Sequence, residues 1–168
     1  ASPKGPLSSA KYKVAATGNT SFGYFGGGGP NISTVDRIDY SNDTGTAPTK
    51  GPLSVGRQFT SATGNASFGY FGAGYDGSAY SSTVDRIDYS NDTATASPKG
   101  PLSVVKMRGA ATGNASFGYF GGGTPSNKST VDRIDYSNDT ATASVRGPLS
   151  TGLYGLTATS AGANALPQ

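Results

Sequence analysis

The stretch SFGYFGAGYDGSAYSSTVDRIDYSNDT, residues 67–93, decides the fold, and it occurs in recognisable form three times in the chain. In an extended chain successive side chains point to opposite faces. The first copy of the aromatic segment therefore sets Phe22, Tyr24 and Gly26 on one face and Gly23 and Phe25 on the other. The segment VDRIDY does the same, with Val35 and Arg37 on one side and Ile38 and Tyr40 on the other. Large side chains on both faces demand cover on both faces, as in sheets stacked face to face. The links between these segments, TGN, a glycine run and SNDT, are turn chemistry.

Working outward, GPLS begins at Gly5, Gly51, Gly100 and Gly147, and VDRIDYSNDT at Val35, Val84 and Val131, so the chain repeats every 46 to 49 residues. That period is about one four-stranded antiparallel meander. Each unit contains a small-residue strand ending in ATGN, the aromatic strand, the VDRID strand and a strand leading into GPLS. We read residues 1–168 as a single repeat domain, with units at about 9–54, 55–103 and 104–150 and a partial repeat at 151–168. Half-units stand at both ends, and a strand like the small-residue strand that opens each unit, here termed A-like, is expected from Leu156 to Asn164. The chain opens within a repeat, as if cut from something longer.

Composition narrows the class. The 168 residues include 26 Gly and no Cys, His or Trp, and Glu is absent as well. Few good helix formers remain, and the Phe, Tyr, Val and Ile clusters suit half-buried strands rather than disorder. The net charge of +3 is spread too evenly for a nucleic-acid footprint. No segment is long and apolar enough to insert in a membrane as a helix.

The run from Gly72 to Thr93 followed by SPKGPLSVVKMRGAATGNASFGYFGGG resembles the Kelch repeat, with its apolar strand ending in Gly-Gly, its Tyr-Asp-like pair and its Pro-Leu-containing fourth strand. The resemblance implies an all-β fold of Kelch-like β-propeller blades. It implies three full blades plus terminal half-blades, a number that closes a ring only by oligomerisation or as part of a longer chain. A β-trefoil is the alternative. The tryptophan usual in such repeats is replaced by small residues at Ala47, Ala94 and Ala141, which leaves the packing between blades to the Phe and Tyr of the aromatic strand. The repeat also resembles repetitive virion or tail-fibre-type proteins of marine bacteriophages, which implies an extracellular or virion location.

Chemistry is sparse. Without His, Cys or Glu there is no ordinary general base and no soft metal ligand, so we expect no enzyme, no cofactor and no metal. Apart from Asp76, the carboxylates are the triplet Asp36, Asp39, Asp43 and its copies Asp85, Asp88, Asp92 and Asp132, Asp135, Asp139. Identical groups in every unit read as structural: the third-strand Asp accepting turn N–H bonds, an Asx-turn in SNDT, and partners for Arg37, Arg86 and Arg133. A calcium-stabilised FG-GAP-like propeller is the rival, but DRIDYSNDT has an Ile between its first two Asp residues and lacks the central Gly of a calcium loop.

The copies differ in two windows, one after GPLS and one between the aromatic and VDRID strands. In a meander both connections leave from the same end. That rim carries Lys11, Tyr12, Lys13, Arg57, Phe59, Tyr75, Asp76, Tyr80, Lys106, Arg108, Asn127 and Lys128. Aromatic, Arg and Asn side chains there suit a recognition surface for a glycan or protein on a cell surface, and neutral drift of loops explains the same variation. Lys11, Arg57 and Lys106 share one register position, where the Kelch resemblance implies a structural role, which leaves Tyr75, Asp76 and Tyr80 as the stronger candidates. The expected partners are a second copy of the chain, or the remainder of a longer one, and that ligand. A structural module forming a ring or filament is the alternative function.

Overall fold

The computed structural model describes residues 1–159. Its strands form three four-stranded antiparallel sheets, each in simple sequence order. The first contains β1 (Ala15–Gly18), β2 (Phe22–Gly26), β3 (Val35–Asp39) and β4 (Thr49–Lys50). The second contains β5 (Ser61–Gly64), β6 (Phe68–Gly72), β7 (Val84–Asp88) and β8 (Ser97–Lys99). The third contains β9 (Ala110–Gly113), β10 (Phe117–Gly121), β11 (Val131–Asp135) and β12 (Ser144–Arg146). Among the described residues no strand of one sheet pairs with a strand of another, which is not the shared barrel of a β-trefoil. Residues 156–159 form no strand, and the rest of the A-like segment expected at Leu156–Asn164 lies outside the described residues.

Local chemistry sets each reversal. At the β1–β2 turn the Asn19 side-chain oxygen accepts from the backbone N–H of Ser21 and Phe22, at 2.9 and 3.0 Å. Asn65 and Asn114 repeat the arrangement in the other sheets. After the third strand the turn is held by Asp39, Asp88 and Asp135, each accepting from the backbone and hydroxyl of the Ser two residues on. The sequence assigned turn acceptance to the third-strand Asp as well as to SNDT. The structure gives that role to the third-strand Asp, and the SNDT carboxylate has another task.

That task is joining the sheets. The register sets Tyr24 opposite Arg37, and both reach across to the second sheet. The Tyr24 hydroxyl donates to Asp92 Oδ2 at 2.9 Å and Arg37 to the same oxygen at 2.8 Å, while Lys50 lies 3.2 Å from Oδ1. Between the second and third sheets, Tyr70, Arg86 and Lys99 hold Asp139 in the same way. The rings follow, Tyr24 stacking on Tyr89 and Tyr70 on Tyr136. Glycine is required on one side of each seam: a Cβ on Gly26 would lie 2.7 Å from the Phe71 ring, and one on Gly72 2.6 Å from that of Phe120.

The core therefore lies between sheets rather than within one. Ala15, Tyr24, Val35 and Leu53 of the first repeat pack with Phe71, Ile87, Tyr89 and Ala96 of the second. Tyr70, Val84 and Leu102 pack with Phe120, Ile134 and Ala143 in the next seam. Each fully buried large side chain contributes roughly 1.5–3 kcal/mol. The aromatic strand does supply the packing where tryptophan is missing, and the Tyr that ends the VDRIDY segment supplies the other half.

Candidate recognition surface

Both variable windows meet at one end of each sheet. Short antiparallel bridges tie them together, Gln58 to Tyr75 within the second repeat, and Ser81 to Lys106 between the second and third. This arrangement brings the candidate residues together, but it sorts them into three different environments.

The first group lies inside. Lys11, Arg57 and Lys106 have fully buried side chains paired with Asp36, Asp85 and Asp132 at 2.7, 2.7 and 2.8 Å. Arg57 also donates to the carbonyls of Ala73 and Thr83, at 3.0 and 2.8 Å, so it staples both ends of the variable loop from within. Desolvation pulls the Arg57 guanidinium down from its usual range, and Asp85 opposes the shift. The GPLS serine donates its backbone N–H to the same carboxylate in each cluster, and Ser8 and Ser54 add their hydroxyls. These three cations offer no charged group to a ligand; their signal in the sequence was a Lys or Arg at this position in each of the three units that carry the VDRID Asp, and Leu153 in the fourth window, which has no such Asp.

The second group lies two residues further on. Lys13, Phe59 and Arg108 occupy one register position and share a left-handed backbone, with φ of 58, 57 and 57°. Their backbones form a chain: Phe59 N–H donates to the Lys13 carbonyl at 3.1 Å, Arg108 N–H to Phe59 at 3.2 Å, and Gly155 N–H to Arg108 at 2.8 Å. The Phe59 ring lies between two cations, with Lys13 Nζ 4.4 Å and the Arg108 guanidinium 4.3 Å from its centroid. Lys13 Nζ also lies 4.8 Å from the Tyr12 ring and donates to Gln58 at 3.0 Å. An open cleft of about 390 Å³ borders this cluster and is lined also by Tyr154 and Leu156. Sequence reasoning missed Gln58 and Tyr154 here.

The third group is the loop tips. Tyr75 and Tyr80 face each other across a small hairpin, centroids 5.8 Å apart. The Tyr75 hydroxyl donates to the Gly77 carbonyl at 2.7 Å. Asp76 accepts from the backbone N–H of Ser78 and Ala79, both at 2.8 Å, and the Ala79 and Ser78 bonds hold its carboxyl below the usual range. Asp76 is thus engaged in shaping the tip, while Tyr80 presents its ring to solvent. Asn127 and Lys128 lie on the equivalent loop of the third repeat, where Asn127 is exposed with a φ of 41°.

The other carboxylates diverge. In each repeat one enters the buried ion pair and one closes a turn, while the third faces the neighbouring sheet at Asp92 and Asp139 and pairs with Lys4 at Asp43; among the described residues no three acidic groups converge as a metal would need. No protein-family model and no characterised protein sequence matches the chain.

Proposed function

We infer that this chain is a non-enzymatic recognition module, an arc of propeller blades whose variable rim binds a glycan or protein on a cell surface. The observation that carries this reading is the left-handed register of Lys13, Phe59 and Arg108. A side chain at that φ costs on the order of 1–2 kcal/mol relative to glycine, and Gly155 fills the equivalent place in the fourth copy. Glycine therefore fits, yet three copies keep long side chains that end in an exposed cation–aromatic cluster. Backbone strain retained in this way marks sites where the side chain serves binding rather than folding. The aromatic tips Tyr75 and Tyr80 extend the same surface, and the extracellular or virion location implied by the phage-like repeats agrees with it.

The test is to replace Lys13, Phe59 and Arg108 together with glycine and compare both proteins on a glycan array and on immobilised cell-surface extract. The expected result is loss of every ligand the parent binds, with a melting temperature equal to or above that of the parent. Unchanged binding, or a large fall in melting temperature, would overturn the reading, the latter because the cluster would then be holding the fold.

A further inference from the structure

Each seam between sheets joins two unlike faces, and each unlike face recurs at one end of the array, where among the described residues no further sheet covers it, only the end segments 4–8 and 153–158. The face that offers Ala15, Tyr24, Val35 and Leu53 to the second sheet reappears on the third sheet as Ala110, Tyr119, Val131 and Leu149, lining an apolar groove of about 300 Å³. The opposite face, made by Phe71, Ile87, Tyr89 and Ala96, reappears on the first sheet as Phe25, Ile38, Tyr40 and Ala47. There Phe25, Ile38 and Tyr40 line a cleft of about 380 Å³, and Tyr40 is 54% exposed where its copy Tyr89 is 9%.

Polar groups match as well. Asp43 stands where Asp92 and Asp139 stand in the inner seams. Tyr119 and Arg133 stand where Tyr24 and Arg37 hold Asp92, and Arg146 stands where Lys50 approaches it. The small residue is in place too: a Cβ on Gly26 or Gly72 would strike a neighbouring Phe, whereas one on Gly121 would meet only Val131, at 3.6 Å, and Leu149 at 4.0 Å.

We propose that the first sheet of a second copy docks on the third sheet, with its Tyr40 stacked on Tyr119, its Phe25 over Gly121, and its Asp43 accepting from the Tyr119 hydroxyl and Arg133. Present contacts yield at both ends. Strand β1 of the incoming copy takes the inner edge where residues 156–159 lie, held there by a side-chain hydrogen bond from Thr112 to the Thr159 carbonyl at 2.9 Å. On the first sheet residues 4–8 occupy the place of 146–150, with Gly5 N–H donating to the Asp43 carbonyl at 2.7 Å, Ala47 N–H to the Pro6 carbonyl at 2.9 Å and Ser8 Oγ to Asp36 at 2.7 Å. These bonds, and the ion pair of Lys4 with Asp43, are exchanged for the same groups of the docking copy. The contact joins unlike faces, so it is head-to-tail and either closes into a ring or extends as a filament. Two chains bring three sheets each, within the roughly four to eight that close a propeller. This inference is independent of any ligand at the rim.

Sedimentation velocity over a wide concentration range tests it on the whole 168-residue chain. The parent is expected to sediment as a multiple of the chain mass. Gly121→Ala, which blocks the third-sheet face, and Tyr40→Ala, which spoils the first-sheet face, are each expected to sediment as single chains. Gly121→Ala should keep the parent's melting temperature when both are compared at a dilution where the parent is a single chain. Mixing the two variants is expected to restore one intact seam and give a one-to-one pair that grows no further. A parent that remains a single chain at its solubility limit overturns the proposal and leaves these faces to further repeats of a longer chain. Retained association in Gly121→Ala, or failure of the mixture to pair, overturns it equally.

Discussion

The Tyr24 ring lies stacked on that of Tyr89, centroids 4.8 Å apart and planes within 13° of parallel, while its hydroxyl reaches Asp92 three residues beyond that partner. One side chain thus makes both the apolar and the polar half of a seam. The two halves depend on each other, because the stack shields the hydrogen bond from water and the hydrogen bond fixes the angle of the ring.

Removing the polar half should be costly only where it is shielded. Asp92→Ala leaves Arg37 and Lys50 without their shared, nearly buried acceptor, and a loss of about 3 kcal/mol is expected. Asp43→Ala removes the same residue type at the same register, but its one ion-pair partner among the described residues, Lys4, is largely in solvent, and a loss below about 1 kcal/mol is expected. Urea unfolding of both variants at low protein concentration checks this, and equal losses would show that the seam does not depend on shielding.

The interior ion pairs should be strongly coupled. Arg57→Met strands the Asp85 carboxylate in a site from which water is excluded, with an expected cost of about 3–5 kcal/mol. Asp85→Leu strands the guanidinium at a similar cost. In the double variant neither charge remains, so its loss should fall well short of the two single losses added together. A double-mutant cycle by denaturant titration measures the difference; simple additivity would mean that the two groups do not stabilise each other.

Stability should fall at both ends of the pH scale. Burial raises the Asp92 carboxyl, but hydrogen bonds from Tyr24, Lys50 and Arg37 outweigh it and hold it below the usual range. Hydrogen bonds from the turn serines likewise lower Asp39, Asp88 and Asp135. A carboxyl lowered by folding stabilises above its unfolded value of about 4 and loses that contribution as pH drops through the folded value. At the alkaline end the signs reverse: burial raises Tyr24, Tyr70 and Tyr89, and raises Tyr136 to about 12. A phenol raised by folding stabilises fully below about pH 10, and the contribution disappears as pH climbs from there toward the folded value. Tyrosinate absorbance followed alongside circular dichroism should show these four rings ionising together with loss of the sheets. Full ionisation with the sheets intact would contradict the packing.

The sheets were legible because alternation and turn residues are local: VDRID and SFGYF declare two-sided strands, and TGN declares a reversal. The seams were only half legible. Tyr24 could be seen to need a partner, but Tyr89 occurs in every copy, and nothing in near-identical repeats says which copy supplies it. Lys11, Arg57 and Lys106 were counted with the rim because their position falls inside a variable window, although the shared register already implied a structural role there. Alternation between Lys and Arg at that position marks a buried anion that accepts either cation. At Lys13, Phe59 and Arg108 the windows showed that the residue type varies but not the left-handed backbone conformation, for which Gly155 at the same register was the available clue.

The uniformity of the seams also bears on how such a chain changes over generations. Since Asp92 and Asp139 meet the same Tyr–Arg–Lys trio, unequal recombination that removes or duplicates one whole unit brings together surfaces that already fit. Array length can then drift in steps of a complete copy without a compensating substitution, and selection acts on the number of units separately from the identity of the exposed side chains.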